Sequence, residues 1–166
     1  GFTREELGGS EYLKVMFDRS EGKPPVLDRK NEKQVQGFCR ELIQRGFISS
    51  AHDCSEGGLA VAVAESCFSY GGLTLGASLT LESTLRNDTL LFGETQSRIV
   101  ISFPEERIDE IENLALAFPI DFSLIGKVGG SHFTVTVNGK EVIKQEVNIL
   151  KNIWKTSLGN YAGQVT

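Results

Sequence analysis

Asn138-Gly139 stands between two strand-like runs, Phe133-Thr-Val-Thr-Val137 and residues 141–147. A type I′ turn needs positive φ at both central positions, and Asn-Gly tolerates this best. The twist of that turn matches the twist of two antiparallel strands. The chain must therefore make an antiparallel hairpin here, and its fold must contain a sheet that the hairpin can join.

Upstream, the apolar period changes from two to about 3.6, which marks helices. Ser10 is placed to cap a helix over residues 11 to about 19, followed by a loop through Pro24-Pro25. Asp28 is placed to cap the next helix, in which Val35, Phe38, Cys39, Leu42 and Ile43 share one face and Gly46 ends the run. Residues 47–53 suggest a short buried strand. A helix from 59 to about 68 follows; it starts almost wholly apolar, as expected for burial on most sides, and Gly71-Gly72 ends it. Leu73, Leu75, Ala77, Leu79 and Leu81 alternate as in a half-buried strand. A short helix is expected over 87–92, ahead of Gly93, and a β-branched strand over 98–103. Pro104 suits the first turn of a helix with the stripe Ile108, Ile111, Ala115 and Phe118, closed by Pro119. Residues 122–128 read as another strand, and 148–157 as a closing helix carrying Ile149, Leu150, Ile153 and Trp154. The mixture implies one α+β domain over residues 1–166, with helices packed on a mixed β-sheet.

The chain has 166 residues, the size of one ordinary domain, with 40% apolar and 23% charged residues. A net charge of −5 argues against a broad nucleic-acid surface, which needs a basic stripe. It leaves room for a small phosphorylated ligand bound through backbone amides and a metal ion. Cys39, Cys54 and Cys67 are odd in number and form no C-x-x-C pair, so neither a disulfide framework nor structural zinc is expected. They fit reduced thiols in a cytoplasmic protein. No apolar run approaches the ~18 residues of a membrane helix. The start, Gly-Phe-Thr-Arg-Glu-Glu, has no signal-peptide core, and the missing Met is expected of a processed or excised piece.

Two segments carry chemistry. In Ala51-His52-Asp53-Cys54-Ser55-Glu56-Gly57-Gly58-Leu59, an acidic residue at a strand end runs through a Gly-rich turn into a helix. Asp53 could bind Mg²⁺ while the turn's amides face a phosphate; alternatively Asp53 and Ser55 only cap the helix. In Gly93-Glu94-Thr95-Gln96-Ser97-Arg98, Thr95 and Gln96 could donate to phosphate oxygens and Glu94 could bind a metal or a hydroxyl; alternatively this is a solvated turn. His52 and His132 give no readable triad. Gly126-Lys127-Val128-Gly129-Gly130 lacks the order of a phosphate loop and reads as a turn before the hairpin.

Taken in order, Leu7-Gly-Gly-Ser-Glu-Tyr12, Pro24-Pro25, Ala51-His-Asp-Cys-Ser-Glu-Gly-Gly-Leu-Ala60 and Leu91-Phe-Gly-Glu-Thr-Gln-Ser-Arg98 closely resemble the formylglycinamide ribonucleotide amidotransferase family. The resemblance covers nearly the whole chain. It implies a fold like the C-terminal lobe of aminoimidazole ribonucleotide synthetase, and a parent with two N-terminal and two C-terminal lobes. This chain resembles the second C-terminal lobe. The family uses ATP and Mg²⁺ to activate a formamide oxygen as a phosphate and then adds ammonia from glutamine. Asp53 matches its metal-binding Asp motif and Glu94-Thr95-Gln96 its E-S-Q motif. In this copy the resemblance implies an auxiliary ATP or ADP site of structural role, with no catalytic residue, and an inactive isolated lobe. Expected partners are the other lobes and, if the parent is the small form that a stop soon after Trp154 resembles, the glutaminase and small accessory subunits; a piece of the large form is the alternative. Selenophosphate synthetase or small-molecule kinase lobes, and a non-catalytic assembly module, are the alternatives; Leu-Gly-Gly-Ser-Glu-Tyr weighs against the first two.

Overall fold

A computed structural model of the chain describes residues 1–68 and 74–164, with side chains to residue 157. Its elements run α1 (Glu11–Phe17), α2 (Arg29–Gln44), β1 (Ser50–Asp53), α3 (Gly58–Ser66), β2 (Ala77–Leu81), α4 (Asn87–Phe92), β3 (Ile99–Ser102), a 3₁₀ turn (Glu105–Arg107), α5 (Ile108–Ala115), β4 (Gly126–Val128), β5 (His132–Val137), β6 (Lys140–Glu146) and α6 (Val147–Gln164). They fall into two compact units, Gly1–Val63 with Thr84–Leu124, and Ala64–Ser83 with Ile125–Thr166.

In the first unit, side chains start the helices as the sequence implies. Ser10 Oγ accepts the Leu13 amide at the head of α1. Asp28 accepts the Lys30 and Asn31 amides at 3.0 and 3.1 Å, satisfying two donors that α2 leaves open. These bonds also hold the Asp28 carboxyl below its ordinary pKa. Gly46, at φ 66°, turns the chain out of α2, and the Phe47 amide closes back on Leu42 O.

The core of this unit is Phe38, Leu42 and Ile111, with Phe47, Ile48, Ile101, Phe103, Phe118 and Phe122 packed around it. Phe38 meets Phe118 and Phe122 edge-on, with ring centroids 5.4 and 6.0 Å apart. The buried stripe of α2 is narrower than the sequence suggests. Val35, Phe38 and Leu42 are buried, whereas Ile43 is 56% exposed. β1 pairs antiparallel with β3 from Ser50↔Ser102 to Asp53↔Ile99.

Three expectations need correction here. The strand begins at Ser50, not at 47, and most of it is exposed; Phe47 and Ile48 reach the core from the loop before it. The strand expected over 122–128 is confined to Gly126–Val128, because Phe122 belongs to the first unit's core. α5 ends at Ala115, before Pro119, because the Ala117 and Phe118 amides bond back only three residues, to Leu114 O and Ala115 O, and the α-helical ladder has already stopped.

The second unit is built on a four-stranded mixed sheet of order β4-β2-β5-β6. β2 lies parallel to β5, from Ala77↔Phe133 to Leu81↔Val137, and the other neighbours are antiparallel. Ala77, Leu79 and Leu81 of β2 and Phe133, Val135 and Val137 of β5 are buried, so one face of this pair is covered. Asn138 and Gly139 have φ 49° and 76°, as the type I′ reading requires. β2 starts at Ala77, later than the alternation suggests, and Leu75 is exposed. Leu73 and Gly71-Gly72 lie outside the described residues. α6 runs past the expected 148–157, and Trp154 packs on Phe68 and donates to Glu65 at 3.1 Å. Among the described residues, no helix is long and apolar enough to cross a membrane.

The core assignment is testable by a pair of substitutions on neighbouring positions of α2. Leu42→Ala removes a fully buried side chain and is expected to cost about 2–5 kcal/mol. Ile43→Ala is expected to stay within about 0.5 kcal/mol. Urea unfolding followed by Trp-independent circular dichroism of the helices measures both.

Candidate functional site

The site is assembled by the pairing of β1 with β3. The ladder ends at Asp53↔Ile99, and one further bond, Cys54 N–H to Arg98 O at 2.9 Å, carries the contact into the loops. The turn after Asp53 and the loop 93–98 therefore lie at the same end of this sheet. Both chemistry-bearing segments singled out in the sequence are brought together, within the first unit.

The turn is close against the loop. Gly57 and Gly58 have φ 78° and 66°. A Cβ on Gly58 would stand 2.5 Å from Gly93 O and 2.9 Å from Phe92 C, so only glycine fits. The Gly58 amide bonds to Ser55 O at 3.1 Å, and α3 starts from this turn.

Asp53 is exposed at the end of β1. Its carboxylate accepts a short hydrogen bond from Ser55 Oγ. That bond, ahead of a smaller opposing effect of burial, holds the Asp53 carboxyl below its ordinary pKa. The His52 ring bonds to Asp53 O at 2.7 Å. Among the described residues there is no group of three or more His, Cys, Asp or Glu side chains that could hold a metal. Asp53 is thus a single ionised, accessible carboxylate. That fits Mg²⁺, which takes one or two carboxylates and fills its octahedron with phosphate and water.

The loop is organised from inside. Glu94 Oε1 accepts two backbone amides, those of Glu11 and Gly57, each at 2.9 Å. It ties the first turn of α1 to the Gly57-Gly58 turn. Tyr12 of α1 stacks on Phe92 of α4 at 5.0 Å and reinforces the same junction. Thr95 is 3% exposed, and its Oγ1 accepts the Arg4 amide at 3.1 Å. Gln96 is exposed, and its amide donates to Glu94 O at 3.3 Å. Ser97 sits at φ 64° and donates to Glu32 at 2.5 Å. Asp53 and Gln96 therefore face solvent, while Glu94 and Thr95 hold neighbouring backbone.

Arg98 was not singled out by sequence reasoning. It is 5% exposed. Its guanidinium donates to Thr95 O at 3.0 Å, to Thr3 Oγ1 at 2.8 Å, and to Gly93 O in a short bond. Burial lowers its pKa from the ordinary value, and the carboxylates of Glu6 and Glu94 oppose that shift. The signal available in the sequence was a cation placed flush against a β-branched strand, where a charge survives only if it is fully paired.

The Ser55–Asp53 bond has a measurable consequence. A depressed folded-state pKa contributes stability above the ordinary aspartate pKa, and this is lost as pH falls through the depressed value. Ser55→Ala removes the main cause, so the Asp53 titration midpoint is expected to rise towards that of a free aspartate. Carboxyl NMR titration of the wild type and the variant checks this; an unmoved midpoint refutes the assigned cause.

Comparison with known proteins shows the family to which the chain belongs. The chain is 42% identical over 158 residues to phosphoribosylformylglycinamidine synthase subunit PurL of Moorella thermoacetica, covering 95% of this chain and 21% of that protein. It is 48% identical over 126 residues to the same subunit of Synechococcus sp. (strain JA-3-3Ab), covering 75% and 16%. It thus spans about a fifth of the length of the relatives it matches. Among solved structures, T. maritima PurL complexed with FGAR shares the fold, with a TM-score of 0.73, 20% identity, and coverage of 91% of this chain and 26% of that one. T. maritima PurL complexed with ATP gives a TM-score of 0.67 at 20% identity, covering 91% and 24%. The model of the AIR synthase related protein, C-terminal domain, matches residues 3–138, and the chain belongs to that family.

Proposed function

We propose that this chain is the second C-terminal lobe of a phosphoribosylformylglycinamidine synthase, and that its 53–58 turn and 93–98 loop form an auxiliary nucleotide site. The observation that carries the reading is the meeting of Asp53 and the Glu94-Thr95-Gln96 loop at one end of the β1–β3 pair. The intact enzyme would be an ATP-dependent ligase of purine biosynthesis, working in the cytoplasm on formylglycinamide ribonucleotide. Identity of 42% to a subunit of that name over almost the whole chain supports this. The T. maritima structures with FGAR, ATP and ADP support the ligand classes.

In this reading Asp53 holds Mg²⁺ beside the phosphates of ATP or ADP. The bound metal would supply charge neutralisation to the phosphate oxygens. The Gln96 amide faces the ligand, and Glu94 and Thr95 keep the loop wall in place for it. The Gly57 and Gly58 amides, expected from the sequence to face a phosphate, are instead taken by Glu94 and Ser55 O, so in this reading contact with the phosphates falls to the metal on Asp53 and to Gln96. Other lobes of the same enzyme cover this one. If the parent is the small form, separate glutaminase and small accessory subunits complete the assembly; the T. maritima PurLQS structure supports further subunits beside PurL.

Phosphoryl transfer depends on a fully lined cleft. The 166-residue chain incubated with formylglycinamide ribonucleotide, ATP, Mg²⁺ and ammonia is therefore expected to yield no product at turnover rates. A coupled ADP assay with product chromatography reads this, and clear turnover refutes the lobe reading. In the intact enzyme, Asp53→Asn keeps the side-chain shape and removes its charge. It is expected to reduce the nucleotide copurifying with the protein while leaving thermal unfolding within about 0.5 kcal/mol, the scale of ordinary surface changes. Unchanged nucleotide content would leave Asp53 as a turn residue only.

A further inference from the structure

We propose that Arg98 is the positioning residue of this site, acting through Glu94 to hold the Gly57 turn, and with it the neighbouring Asp53, in place for a ligand; the functional half of this rests on the nucleotide reading above. The buried guanidinium takes Gly93 O and Thr95 O, the carbonyls on either side of Glu94. With the carbonyls of the residue before and the residue after Glu94 tied to one rigid group, the loop is held on both sides of Glu94. Its carboxylate then reaches the amides of Gly57 and Glu11 together. The third arm, to Thr3 Oγ1, brings the N-terminal segment onto the same group, and the Thr95 hydroxyl accepts the Arg4 amide beside it. Two side chains thus join the N-terminal segment, the turn and the loop.

The chemistry of the residue fits this task. A guanidinium offers five N–H donors in a fixed planar fork, so it can serve three acceptors of separate origin at once. A lysine ammonium in the same place is a flexible point charge. The position is closed to water, so a lost donor leaves a buried carbonyl unpaired. Glu6 lies close enough for its charge to favour the cation, and its buried Oε2 has no hydrogen-bond partner. Neither Arg98 nor Glu6 needs to touch a ligand for this role.

The experiment uses the intact enzyme, with hydrogen-exchange mass spectrometry of peptides spanning Gly57 and α2, and MgADP as the probe for affinity. Arg98→Lys is expected to speed exchange at the Gly57 peptide by about tenfold and to weaken MgADP by a similar factor, with α2 protection unchanged; tenfold corresponds to the ~1.4 kcal/mol of a single lost bond of this kind. Asp53→Asn should weaken MgADP without altering exchange at Gly57. That contrast separates positioning from direct binding. Unchanged exchange at Gly57 in Arg98→Lys overturns the proposal. So does faster exchange with unchanged MgADP affinity in an enzyme whose wild type protects this turn when MgADP is added. If MgADP gives the wild-type turn no protection, the nucleotide reading fails, while the exchange result still judges the Arg98–Glu94–Gly57 linkage. Should Arg98→Lys also lose α2 protection, Glu94→Ala provides the second arm: it must release the Gly57 amide to the same extent, and normal protection there overturns the proposal.

Discussion

The first unit depends on a two-stranded antiparallel ladder that could not stand alone. Four residue pairs join β1 to β3, and a hairpin-sized pair without further strands is marginal in water. Its support comes from the side. Ile101 in β3, with Ile48 and Phe103 just outside the strands, packs on the Phe38, Leu42 and Ile111 cluster from α2 and α5. Hydrophobic burial by the helices therefore sets the strand register. The register in turn decides that Asp53 stands opposite Ile99 and that the turn and loop meet at one end.

What the ladder begins, a few buried polar groups complete. Where the β1–β3 ladder ends at Asp53↔Ile99, side chains satisfy the backbone instead. Glu94 accepts amides, and Arg98 donates to carbonyls. Such bonds inside a protein have little slack, because an unpaired buried amide or carbonyl costs more than the bond itself contributes. The rim is thus stiff on its inner side and open on its outer side, where Asp53 and Gln96 are exposed.

The local features were legible in the residues. Ser10 and Asp28 cap as expected, Asn138-Gly139 turns as expected, and the mixed sheet with packed helices follows from the element pattern. The two candidate segments were recognisable by their glycines and acidic residues. Less legible was which polar side chains look inward. Thr95 and Gln96 are neighbours in a polar stretch, yet one is buried and the other exposed, because Thr95 pairs with an amide 91 residues away. Arg98 was passed over for the same reason: two of its acceptors are backbone carbonyls, which leave no mark in a sequence, and the third is the hydroxyl of Thr3, 95 residues away. Strand limits failed where tertiary packing took over, as with Phe47, Ile48 and Phe122, apolar residues that serve a core without belonging to a strand.

The turn at Asn138-Gly139 has a chemical lifetime as well as a shape. Asn followed by Gly is the pair in which the next backbone nitrogen most readily attacks the side-chain amide, giving a succinimide and then aspartate or isoaspartate. Here the Asn138 amide is engaged at both ends, accepting the Ser83 N–H at 3.0 Å and donating to Ser83 O at 2.8 Å. The bonds hold the side chain to Ser83 and restrict the rotation that ring closure needs. They also define the damage if ageing does occur. An aspartate would present an oxygen to the Ser83 carbonyl in place of a donor, setting two acceptors against each other beside the hairpin that the rest of the second sheet is built around.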